Sequence, residues 1–191
     1  MDFMNLIKDQ LNNPGVLQQL GQTIGADKDQ VSKLTQLGLP AMLEGLNRNA
    51  QTPEGAEALA KALDQHKDDN VNDLEGFLYY VDSDDGAKIL DHVFGKKNTR
   101  VQSNLASQTG LDVGQVSGLL SKLAPMLLGA LGNQKKEENL DASGVASLLP
   151  SLGGLFGGNS GGLSGITGLL DADKDGDIMD DLKGLLGKFL K

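Results

Sequence analysis

Apolar residues recur at helical spacing along most of the chain. Phe3, Ile7 and Leu11 fall at i, i+4 and i+8 ahead of an Asn13-Pro14-Gly15 turn. Thr52 followed by Pro53 has the form of an N-cap with proline at the first helical position, and Ala56, Leu59, Ala60 and Leu63 then share a face. Leu74, Phe77, Leu78 and Val81 make another stripe. Asp84-Asp85-Gly86 opens a helix carrying Ile89, Leu90, Val93 and Phe94, which Gly95 is placed to end. Alternating runs bounded by hairpin turns are absent, so no sheet is expected. The predicted fold class is all-α, a multihelical array.

The pattern also repeats. At a constant offset of 85, residues 16–46 match residues 101–131 at 11 of 31 positions without a gap. The shared positions include Gly25/Gly110, Asp27/Asp112, Gln30/Gln115, Val31/Val116 and Pro40/Pro125. A common register of Gly, Asp, Gln-Val-Ser and Pro reads as an internal duplication. In each copy one helix ends, a glycine takes positive φ, an aspartate caps the next helix and a valine plugs the angle between them, which is helix-turn-helix grammar. Pro40 and Pro125 sit inside the second helices, where each removes a backbone hydrogen bond and is expected to kink or break the helix.

A helix-turn-helix invites a DNA-binding reading, and charge argues against it. The would-be reading surfaces carry Asp27, Lys28, Asp29, Gln30 and Lys33 in one copy and Asp112, Gln115 and Lys122 in the other, with no arginine on either surface. The second of these helices then runs into Leu119, Leu120, Leu123 and Met126, too apolar to lie beside phosphates.

Residues 85–132 resemble the bacterial family of unknown function typified by YidB. The resemblance rests on Gly86, Ile89-Leu90, Phe94-Gly95, Leu105, Gly110-Leu111, Gln115-Val116 and Ala124-Pro125, and reaches residues 1–100 mainly through the repeat. It implies a multihelical fold and supplies no catalytic residues.

Composition narrows the partners. In 191 residues, 17 Lys and Arg against 26 Asp and Glu leave a net charge of −9, acidic in both halves, which disfavours DNA, RNA and anionic membranes. With no cysteine there is no disulfide and no ligation by sulfur. The segment MDFMNLIKDQ lacks a basic stretch followed by an apolar run, so the cytoplasm is the expected compartment. Residues 142–170 carry no charge, but nine Gly, five Ser, one Asn and one Pro oppose a membrane span. They read instead as a short helix around Val145–Leu152 followed by a Gly-rich linker.

The most specific chemistry lies in DADKDGDIMDDL, residues 171–182. Asp171, Asp173 and Asp175 stand at positions 1, 3 and 5 of an EF-hand or dockerin-like calcium loop, with Gly176 at 6 and Ile178 at 8. Asp177 offers its carbonyl at 7. Leu182 stands where a bidentate Glu belongs, so Asp181 is expected to reach in. The alternative is an acidic linker whose Asp180 and Asp181 cap the last helix. That helix carries Leu182, Leu185, Leu186, Phe189 and Leu190 on one stripe.

Catalysis has little support. His66 and His92 share no motif, and the chain holds no P-loop, nucleophile elbow or dinucleotide fingerprint. The organisation expected is a first helical unit at 1–100, a second at 101–152, a Gly-rich linker at 153–170 and a calcium loop with terminal helix at 171–191. The function expected is a non-enzymatic interaction or assembly module that binds a protein partner or a second copy, carrying one Ca²⁺. The rival is an acidic helix-turn-helix regulator acting on nucleic acid or on another regulator.

Overall fold

A computed structural model describes the backbone of residues 9–157 and side chains to residue 152; the predicted calcium ligands Asp171, Asp173, Asp175, Asp177 and Asp181, the terminal helix and the linker beyond Gly157 lie outside the described residues. Among the described residues all regular structure is helical. The helices are α1 (Pro14–Ile24), α2 (Lys28–Asn49), α3 (Pro53–His66), α4 (Leu74–Tyr80), α5 (Ser83–Phe94), α6 (Asn98–Thr109), α7 (Val113–Glu137) and α8 (Ala142–Gly157), with a 3₁₀ turn at Gly95–Lys97 before α6.

Short polar residues start most of these helices by satisfying first-turn N–H groups. Asn13 belongs to this set. Its Oδ1 accepts from the Gly15 N–H at 2.8 Å, and Pro14 occupies the first turn, so the Asn-Pro-Gly sequence begins α1. Thr52 caps α3 as expected. Asp82, two residues before the expected start, caps α5 through the N–H groups of Asp84 and Asp85. At the other end α7 stops where Asn139 turns to a φ of 51° and the Leu140 N–H reaches back to the Lys135 carbonyl at 2.9 Å.

The segments around Gly25 and Gly110 have the same local geometry. Gly25 and Gly110 close α1 and α6 at φ 68° and 75°. Asp27 and Asp112 then cap α2 and α7 at φ −81° in both cases, each in a capping box with the glutamine three residues on. Pro40 and Pro125 both lie buried within helices that continue past them. Neither breaks its helix, because dense burial on either side outweighs the lost bond.

The helices of the two halves interleave. The pairs α1/α2 and α6/α7 pack within each half, while α3 lies along α7 and α8 lies along α2 and α3. Helix α7 is the axis. From Leu123 to Gly132 every residue is buried, which requires neighbours on all sides. These come from α3, α5 and α6, with α1 and α2 near its start. Val145, Leu149 and Leu152 bring α8 into the same continuous core. Helix α8 persists to Gly157, through residues 153–157 expected to begin the linker.

Candidate functional site

The helices α3 and α5 both pack on α7 without packing broadly on each other, and a trough opens between them. It encloses about 580 Å³. Its floor is made by Leu46 of α2 and Leu128 of α7. One wall is the α3 face of Gly55, Ala58, Leu59, Ala62 and His66, and the other is the α5 face of Asp85, Lys88, Ile89, His92 and Val93. The α3 wall is built of small residues because that helix places Gly or Ala at 55, 58 and 62. The trough is therefore wide as well as apolar.

Both ends are tied. At one end His66 stands between two carboxylates, with Nδ1 2.9 Å from Asp69 Oδ2 and Nε2 3.8 Å from Asp85 Oδ2. A carboxylate only accepts, so Nδ1 donates to Asp69, and Nε2 links to Asp85 when the ring carries its second proton. Asp69 is itself held, its carbonyl accepting from Asn133 Nδ2 of α7 at 3.1 Å. At the other end Asn49 Nδ2 donates to the His92 carbonyl at 2.9 Å, fastening the end of α2 to α5. Gly55 is required here, since a Cβ at that position would sit 1.8 Å from the Asn49 carbonyl oxygen.

Two ion pairs join α3 and the turn after it to α7. Lys135 Nζ donates to Asp64 Oδ1 at 2.6 Å, and Lys136 Nζ to Asp68 Oδ1 at 2.5 Å. These hydrogen bonds and the ammonium charges hold both carboxyls below the usual range.

His66 and His92, unrelated in the sequence, line one trough. Twenty-six positions separate them, so no motif joins them. The lining contains no hydroxyl or thiol. Among the described residues no group of three or more His, Asp or Glu is placed to hold a metal ion, and no helix is long and apolar enough to cross a membrane. Away from the trough, Tyr79 and Tyr80 project from the end of α4, 75% and 85% exposed, with their rings edge to face at 5.0 Å.

The turns themselves face one another. Gln30 Nε2 donates to the Gly110 carbonyl at 3.2 Å, and Gln115 Nε2 donates to the carbonyls of Ile24 and Gly25 at 3.1 and 2.9 Å. Each helix N-terminus that a groove-reading protein would present outward is thus fastened to the opposite turn.

Comparison with known proteins adds a family. Residues 5–134 match the family described as bacterial protein of unknown function (DUF937), a span that covers α1 to α6 and most of α7. No curated protein and no solved structure matches the chain.

Proposed function

The chain belongs to this bacterial family, and we propose that it is a non-enzymatic helical interaction module whose trough between α3 and α5 grips an amphipathic helix. The observation that carries the reading is the trough itself. Its apolar floor, its small-residue wall and its tied ends leave a furrow between two helices of the kind that a third helix fills. The polar groups that line it offer no hydroxyl or thiol nucleophile.

The acidic loop adds a second element to the proposal. Asp171, Asp173, Asp175 and Asp181, with the Asp177 carbonyl, bind one Ca²⁺ and orient the apolar stripe that follows. Support comes from their spacing. Against the rival helix-turn-helix regulator stand the net charge of −9, the burial of α7 and the two turns fastened together by Gln30 and Gln115.

Co-purification from the native bacterium tests the reading. Ala58 is an exposed wall residue, so Ala58→Arg fills the trough without disturbing the core. Proteins that accompany the wild type should be lost from Ala58→Arg and retained by Ser103→Arg on α6. An identical set in all three preparations would overturn it.

A further inference from the structure

We infer that the trough is occupied by the chain's own residues 182–191, docked in cis as an amphipathic helix. The inference rests on the trough being a helix-binding site, and four observations point to this occupant.

The first is apolar surface. Leu182, Leu185, Leu186, Phe189 and Leu190 fall on one helical stripe, a face that costs free energy if left in water. The second is length. The α3 wall from Gly55 to His66 rises about 16 Å and the stripe from Leu182 to Leu190 about 12 Å, so the stripe fits within the wall. The Ala58 and Ala62 positions leave room for leucine and phenylalanine side chains to enter between the walls.

The third is charge. Residues 182–191 carry Lys183, Lys188 and Lys191 and no acid, in a chain whose net charge is −9. The wall helices are of opposite sign. Glu54, Glu57, Asp64, Asp84, Asp85 and Asp91 stand against Lys61 and Lys88. Only Asp85 and Lys88 of these line the trough, so the surrounding acids act at longer range and favour the approach of a basic segment over an acidic one.

The fourth is the tether. Helix α8 packs on α3, which is itself a trough wall, and 24 residues separate Gly157 from Leu182. As a random coil, such a length spans about 27 Å and supplies a local concentration on the order of millimolar. Weak intrinsic affinity then suffices.

The absence of cysteine makes the test clean, because every introduced thiol is unique. The full chain carrying Ala58→Cys and Leu186→Cys is oxidised mildly at micromolar concentration. It should form a monomeric disulfide, seen as a mobility shift reversed by reductant, at least tenfold faster than the control pair Ser103→Cys and Leu186→Cys. Adding Phe189→Asp to the first pair should slow it to the control rate. Equal rates for the two pairs would overturn the inference while leaving the Ala58→Arg co-purification result standing. Disulfide-linked dimers in place of monomers would overturn docking in cis and assign the trough to a second copy.

Discussion

Gly86 of α5 lies against the backbone carbonyl of Ser121 in α7, so closely that a Cβ on Gly86 would sit 1.7 Å from that oxygen. Ser121 is the residue four before Pro125, and proline has no N–H to offer its carbonyl. The proline and the glycine are two parts of one contact: α7 frees a carbonyl, and α5 approaches it where only hydrogen occupies the Cβ position. Gly86→Ala should cost about 3 kcal/mol, as forced overpacking does at its upper range. Urea denaturation reads this directly, and a change under about 0.5 kcal/mol would contradict the contact.

The turns supply a graded pair. Gln30→Ala and Gln115→Ala each remove half of a capping box and a bond to the opposite turn, but Gln115 donates to two carbonyls and Gln30 to one. Each substitution should cost about 1–2 kcal/mol, with Gln115→Ala the larger. The order of their denaturation midpoints checks it.

Thr35 is buried in α2, and its Oγ1 has no hydrogen-bond partner. The corresponding position of α7, 85 residues on, is the fully buried Leu120. Thr35→Val keeps the shape and removes the unmatched hydroxyl, so it should raise stability by about 1 kcal/mol. A fall in midpoint would show that the hydroxyl is satisfied in solution.

Acid should loosen the α3 wall. Asp64 and Asp68 have carboxyl pKa values lowered by Lys135 and Lys136, so their stabilisation is present above the unfolded carboxylate value near about 3.9 and is lost as pH falls through the lower folded values. Asp141, lowered by the Gly144 N–H and the Ser143 hydroxyl at the start of α8, behaves in the same direction. The wild type should lose more stability between pH 5 and 2.5, on the order of the carboxylate range, than a Lys135→Met, Lys136→Met variant does. Parallel losses in urea melts would contradict the assignment.

Calorimetry addresses the acidic loop. Titrating the full chain with calcium should give one site, with Asp173→Ala and Asp175→Ala each weakening it severely and Asp180→Ala mattering less than Asp181→Ala. Magnesium should substitute poorly. No binding heat at millimolar calcium would leave an acidic linker.

The all-helical class and many helix ends were legible in the sequence, because caps and αL glycines act locally. Thr52-Pro53, Gly95, Gly110 and Asp112 perform the roles their types suggest. Asn13 caps a helix where its sequence suggests a turn, because Asn-Pro-Gly suits both a turn and a helix start. Pro40 and Pro125 do not break their helices because propensity is a weak prior that burial and neighbouring helices override. The trough was not legible. Periodicity shows which face of a helix is apolar, as it did for Ala56, Leu59 and Leu63, but not that α3 would settle on α7, or that His66 and His92 would share a furrow.

The central claim, that the trough takes an amphipathic helix, is tested most directly by methyl NMR. In full chain carrying Leu185→Asp and Phe189→Asp, the attached stripe cannot compete. A synthetic peptide of residues 180–191 is then added. The account predicts saturable shifts at the methyls of Ala58, Ala62, Ile89 and Val93, with those of α6 unmoved. Unchanged trough methyls up to millimolar peptide, or shifts centred elsewhere, would contradict it.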